Sequence, residues 1–246
     1  MIAARQIYLG RGGKTGWVNP YVTDGLVAMW DGEWNAGGGV HDPAATTWVD
    51  LSGNGQDFTL DLSHSEISSD CISFDGRGKV TPISTNFALS ENLTLEIVAK
   101  RSVAFVSATT RPFFTFGQYI YWRGDGTNQG GPIGFTVYHT PTNSVQMYCV
   151  PNIDTTTRPV ALGVVAIQNN ENTQFLARAP WVNGSLATYS RVYGYGSARS
   201  SSASVGTTNT SDGVTSIYTV RVYNRNLTSE EFASNYAIDK DRFNLP

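Results

Sequence analysis

The sequence predicts an all-β fold: a two-sheet antiparallel sandwich with one short helix at its C-terminal end. Three observations carry this. Glycine (25 residues) and aromatics (12%) are abundant, and charged residues make up only 15% of 246. That mixture suits many short strands joined by tight turns, whereas runs of strong helix formers are scarce. Turn signals recur about every ten residues, the spacing of a sandwich. Near the end, Ile217 to Tyr223 is a β-branched and aromatic strand. It breaks at Asn224-Arg225-Asn226 and runs into a capping box made by Thr228 and Glu231.

The elements follow in order. Residues 1–23, with glycines at 10, 12, 13 and 16 around Arg11 and Lys14, read as an N-terminal arm that packs on something else; residues 24–246 read as the domain proper. Gly25 to Trp30 is a short apolar strand, and Gly37 to Pro43 a loop. Extended structure resumes over Thr46 to Asp50, turns at Ser52-Gly53-Asn54-Gly55, and continues over Phe58 to Leu62 and Cys71 to Phe74. Leu93, Leu95, Ile97 and Ala99 alternate with Thr94, Glu96, Val98 and Lys100, which predicts one core face and one outer face. Phe113 to Trp122 reads as a hairpin arm that ends in a Gly124-Asp125-Gly126 turn. Strands over 134–139, 145–150, 160–168 and 173–179 come next, with a hairpin signal at Asn183-Gly184. Ser197 to Ser204 reads as a low-complexity surface loop. The terminal helix is expected over 228–236. Leu227 and Phe232 stand at hydrophobic-staple positions, and Phe232 and Tyr236 share a face.

These segments, in this order, resemble the laminin G-like, concanavalin A-like jelly rolls. "GLVAMWDG" at 25–32 is similar to the opening strand of that family, and "WVDLSGNGQDFTL" at 48–60 to its "DSSGNGNHGTL" turn and strand. "ISFDG" at 72–76, "FALSENLTLEIVAK" at 87–100, "PWVNGSL" at 180–186 and the closing "YNRNLTSEEF" continue the likeness. "DGLVAMWDG" and "HDPAATTWVDLSGNG" also look like jelly-roll proteins of gut bacteria and prophages. The resemblance implies two facing antiparallel sheets whose rim loops and concave face bind carbohydrate, protein or calcium. It also reaches hydrolases, so the fold does not fix the function.

The hydrolase pattern is not matched. Laminarinase-like members carry E-x-D-x-x-E on one strand, which sets two carboxylates about 5 Å apart for retaining chemistry. Here Glu96 is followed by Ile97, Val98, Ala99 and Lys100, and Glu230 and Glu231 belong to the helix cap. Catalysis is not expected. Neither is a metal or cofactor: His41, His64 and His139 share no ligand spacing. Where the family's final strand supplies a calcium-binding aspartate, this chain has Tyr218. Asp50 and Asn54 read as turn-forming side chains, His41 as a loop histidine bonded to backbone carbonyls, and Cys71 and Cys149 as buried free thiols.

The remaining chemical signal is aromatic. Tyr121, Trp122, Arg123 and Asp125 stand in one glycine-flanked segment, and Tyr193 and Tyr195 in another, with Arg191 and Arg199 nearby. Aromatic faces stack on the C–H faces of sugars while Asp, Asn and Arg pair with hydroxyls. These six residues are the expected glycan- or partner-binding set. Net charge is −3 without basic clusters, which argues against nucleic acid. No apolar run reaches membrane-span length, and no signal peptide is visible at the N-terminus. The expectation is a non-catalytic lectin-like module, extracellular or on a virion, whose partner is surface carbohydrate. The alternative is a bacteriophage virion structural or assembly component whose jelly roll contacts another structural protein. In either case residues 1–23 would serve for oligomer or particle attachment.

Overall fold

The computed structural model describes residues 15–75, 81–82, 92–102, 111–116, 120–124, 133–140, 143–150, 156–169, 174–189, 203–205 and 213–246. The strands are β1 (Leu26–Asp31), β2 (Thr47–Trp48), β3 (Phe58–Thr59), β4 (Ser65–Ile67), β5 (Ile72–Phe74) and β6 (Thr81–Pro82). They continue with β7 (Asn92–Arg101), β8 (Arg111–Phe116), β9 (Ile120–Gly124), β10 (Ile133–Thr140), β11 (Asn143–Val150) and β12 (Val160–Asn169). β13 (Gln174–Val182), β14 (Ser185–Leu186), β15 (Thr188–Tyr189), β16 (Ala203–Val205) and β17 (Thr215–Tyr223) complete the set before the helix α1 (Ser229–Phe243). Every pairing among the described strands is antiparallel.

An eight-stranded sheet runs β14-β13-β12-β7-β17-β5-β4, with β1 also paired to β17. A six-stranded sheet runs β15-β11-β10-β9-β8-β16, and a small three-stranded sheet, β2-β3-β6, stands beside the two predicted ones. The sandwich and its C-terminal helix are as expected. Ala203 and Ser204, expected in a loop, pair with β8 together with Val205 instead. The Ala-Ser-Val sequence extends readily once an edge is available.

The core gathers Trp30, Trp48, Phe58, Phe74, Leu95, Ile97, Val164, Val220 and Val222, all essentially inaccessible. Leu93, Leu95, Ile97 and Ala99 of β7 belong to it, as their alternation predicts. The opposite face of β7 differs from expectation. Thr94, Glu96 and Val98 are buried too, because α1 and the segment before β1 lie across that face.

The helix is longer than the sequence predicted, ending at Phe243 rather than Tyr236. The capping box forms: Thr228 accepts from the Glu231 amide, and Glu231 accepts from the Thr228 amide. The staple residues Leu227 and Phe232 share one buried cluster. Asn244 closes the helix in the left-handed conformation (φ 51°), its amide bonded to the Lys240 carbonyl. The buried side carries Phe232, Asn235, Asp239 and Phe243. Its two polar members break the apolar periodicity that would have revealed the last two turns.

Residues 15–23 lie on this helix rather than on something outside the domain. Tyr21 is buried, its hydroxyl donates to Asp239 (2.7 Å), and the Val22 amide donates to Asn235 (3.0 Å). The rest of the predicted arm, residues 1–14, lies outside the described residues. Asn183 (φ 47°) and Gly184 (φ 74°) make the predicted hairpin turn between β13 and β14, both in the region a two-residue primed turn requires.

Candidate functional site

Of the six residues expected to form the site, Tyr121, Trp122 and Arg123 lie within β9, opposite Thr136, Phe135 and Gly134 of β10. Tyr121 and Trp122 fall in the hairpin arm expected for them, and the strand runs on through Arg123. The run Ile120-Tyr121-Trp122 prolongs β9 as far as Gly124, and β9 sits inside the six-stranded sheet between β8 and β10. Asp125, Tyr193 and Tyr195 lie outside the described residues, as do Arg191 and Arg199.

The densest polar chemistry among the described residues lies between α1 and the eight-stranded sheet. Arg221 of β17 is 1% exposed. Its Nη1 and Nη2 donate to Asp239 at 2.9 and 2.6 Å, and its Nε donates to Glu96 at 2.9 Å. Its guanidinium also lies 4.1 Å from the Tyr21 ring centroid. Asn235 donates to both Glu96 (2.7 Å) and the Tyr223 hydroxyl (3.0 Å). The Tyr21 hydroxyl links this cluster to Arg242, which donates to it at 2.6 Å and grips Asp31 with two bonds of 2.8 and 2.9 Å. Arg242 also reaches Glu33 and stacks 3.7 Å from the Trp34 ring centroid. Burial holds the Glu96 carboxyl above the usual range, outweighing the attraction of Arg221. The Arg221 guanidinium stays charged because Asp239 binds it with both oxygens.

This cluster fastens the helix to the sheet. A cavity of about 20 Å³ remains beside Glu96, Arg221, Phe232 and Tyr236, room for a water at most. Glu96 and Asp239, at 5% and 1% exposure, are out of reach of a substrate.

The turn that resembles the family's calcium loop is also internally satisfied. Asp50 Oδ1 accepts from the Met29 and Ser52 amides (both 2.9 Å), and Oδ2 accepts from the Gln56 amide (3.0 Å) and Ser52 Oγ (2.8 Å). Asn54 donates to the carbonyl of Val27. No group of three or more His, Cys, Asp or Glu side chains is placed to hold a metal among the described residues. Cys71 is a buried free thiol, His41 Nδ1 bonds the Glu33 carbonyl, and Tyr218 packs edge-on against Phe243.

A second concavity, about 200 Å³, opens at the β4–β5 edge of the eight-stranded sheet, between His64, Glu66, Ser73, Asp75 and Val214. His64 Nδ1 and Asp75 Oδ2 are 3.0 Å apart there. Sequence reading passed over this edge, since β4 is three residues long and carries no motif. The helix-to-sheet cluster had one usable signal: Asn235 and Asp239, four apart, on the same side as Phe232.

No protein-family model matches the sequence, and no curated protein sequence does. Solved structures match in fold. The ligand-binding domain of botulinum neurotoxin serotype D, solved with N-acetylneuraminic acid, is 11% identical with a TM-score of 0.64, over 88% of this chain and 51% of that one. The receptor-binding domain of botulinum neurotoxin type G is 13% identical with a TM-score of 0.59, over 88% and 52%. A Trypanosoma rangeli sialidase, solved with a difluoro sugar acid, is 13% identical with a TM-score of 0.56, over 96% and 36%. This chain thus spans about half the length of the neurotoxin domains and about a third of the sialidase. At such identities the likeness is one of fold, a β-sandwich.

Proposed function

We propose that this chain is a non-catalytic, lectin-like recognition module that binds glycan on a cell or particle surface. The observation that carries the reading is the fold it shares with a ligand-binding domain solved with a bound sugar acid. The β9 sequence supplies the residue types: Tyr121 and Arg123 alternate with Trp122 along one strand of the six-stranded sheet, so Trp122 falls on the opposite face from the other two. Asp125, Tyr193 and Tyr195 complete the proposed surface. The sequence holds no paired-carboxylate motif, and Glu96 and Asp239 are engaged by Arg221, so the module recognises and does not hydrolyse. Its place is extracellular or on a particle; Tyr21 and Val22 are bonded to α1, so the recognition domain begins before residue 24 and attachment is left to residues 1–14. The virion-component alternative rests on sequence likeness alone.

A glycan array with the wild-type chain and Trp122→Ala tests the reading. The wild type retains a subset of glycans; the variant loses them with its Tm nearly unchanged. An array on which the wild type retains nothing removes the reading. A large fall in Tm assigns Trp122 to the core instead, where truncation costs about 3–5 kcal/mol.

A further inference from the structure

We propose that the outer face of the eight-stranded sheet carries a second ligand site, a hydroxyl-lined cleft at the β4–β5 edge that takes an uncharged sugar ring. It goes beyond the glycan surface proposed on β9 and stands on different residues.

The site is built by strand register. Glu66 pairs with Ser73, Ser73 with Ser216, and Ser216 with Lys100, so one cross-strand row spans β4, β5, β17 and β7. Directly opposite residues share a face, and with strands about 4.8 Å apart the row measures about 14 Å. Its neighbours along the strands, Ile72, Phe74, Thr215 and Ile217, are buried, which turns the row outward. Glu66 is exposed, and Ser73, Ser216 and Lys100 are half-buried. Their neighbours Cys71 and Tyr218 are packed against Phe243 at the end of α1. The helix therefore stops short of this end of the row, and Glu66 and Ser73 line an open cleft with Ser216 next to them in the row.

The chemistry of the groove suits a polyol. Ser73 and Ser216 bond each other at 2.8 Å and keep further donor and acceptor capacity. Glu66 and Asp75 offer carboxylates to hydroxyl donors. His64 Nδ1 is engaged by Asp75, which fixes the ring and leaves Nε2 as its other polar atom. Val214, 38% exposed, supplies an apolar wall for sugar C–H groups. The cleft, about 200 Å³, is the size of one pyranose rather than an oligosaccharide. Charge sets the specificity. Two carboxylates line the cleft while Lys100 stands at the far end of the row, so an acidic sugar meets like charge.

Amide NMR titration of the full chain tests this. The probes are the methyl glycosides of galactose, glucose and mannose, then N-acetylglucosamine, each to about 20 mM, with N-acetylneuraminic acid as the acidic comparison. At least one neutral sugar produces saturable shifts at the amides of Ser63 to Glu66, Ser73 and Asp75, and N-acetylneuraminic acid produces none there. Ser73→Val and Glu66→Gln each weaken that binding about 3- to 10-fold, through loss of a hydrogen bond. Glu66 is exposed, so its variant folds normally, and Trp122→Ala leaves the shifts intact whatever its effect on the other surface. The proposal is overturned if no neutral sugar moves these amides, if N-acetylneuraminic acid moves them equally, or if both cleft variants titrate like the wild type.

Discussion

Replacing Asp239 with alanine tests whether the helix is sealed onto the sheet by charge. Asp239 takes both terminal nitrogens of Arg221 and the Tyr21 hydroxyl, and all three residues are at least 96% buried. Without it, Arg221 keeps its Nε hydrogen bond to Glu96 and its place over the Tyr21 ring, and the Tyr21 hydroxyl, which still accepts from Arg242, loses its own acceptor. Removing one partner of a buried ion pair costs about 3–5 kcal/mol. Leaving a buried O–H donor without an acceptor costs about 1–3 kcal/mol. The surviving Glu96 contact offsets part of this, so the expected loss is about 4 kcal/mol. In a domain of this size each kcal/mol moves Tm by about 2–4 °C, giving a fall of about 8–16 °C. Urea unfolding followed by tryptophan fluorescence reads the change as a lower midpoint at unchanged slope. The triple replacement Glu96→Leu, Arg221→Met, Asp239→Leu recovers the part due to the unpaired charge, while the Tyr21 hydroxyl and one Asn235 N–H stay without these acceptors. A loss below about 1 kcal/mol for Asp239→Ala would mean that Arg221 is hydrated and the helix does not exclude water.

Three further outcomes follow from the geometry. Thr228→Ala lowers stability by about 1 kcal/mol in the same urea assay, because the Glu231 amide loses its cap; an unchanged midpoint contradicts this. Glu96→Gln changes how stability depends on pH. Burial raises the folded-state pKa of Glu96, so its contribution is fullest below the ordinary glutamate range and declines as pH rises toward the raised value. Glutamine keeps an acceptor for Arg221 but does not ionise, so the variant gains on the wild type as pH rises above the ordinary glutamate range, and parallel pH profiles refute this. Millimolar calcium leaves Tm unchanged, because both Asp50 oxygens are occupied by protein donors; a rise of several degrees that a chelator reverses refutes it.

Much of the architecture was legible because local signals agreed with the fold. The β-branched run at Ile217, the capping box at Thr228 and the turn at Asn183-Gly184 each imply one geometry, and each is found. The outer face of β7 was not legible. Thr94 and Glu96 read as solvent-facing because alternation reports polarity, not coverage, and their cover comes from residues far away in the chain. The helix was cut short for a related reason, since Asn235 and Asp239 interrupt its apolar stripe while being buried by partners on β7 and β17. At the expected glycan surface the hairpin arm through Trp122 was legible, but its end was not: the Gly124 turn signal gives no boundary finer than a residue or two. The cleft at Ser73 was invisible because strand register, not sequence proximity, assembles it.

The position of β17 has a consequence for how the chain reaches this fold. The centre of the eight-stranded sheet is its last strand in sequence, bonded to β1, β5 and β7. At ribosomal speeds of about 5–20 residues per second, β1 waits roughly 10–40 s for that partner to be made. Until then no other described strand joins the β4–β5 ribbon to the β7–β12–β13 ribbon, and Leu26 to Asp31 lacks the strand it pairs with. Closure of the sheet therefore waits for β17 and is dominated by long-range pairing, in the millisecond-to-second class. Loss of the last 32 residues, Thr215 to Pro246, would not trim the domain; it would split the sheet down its middle and leave two sticky ribbons.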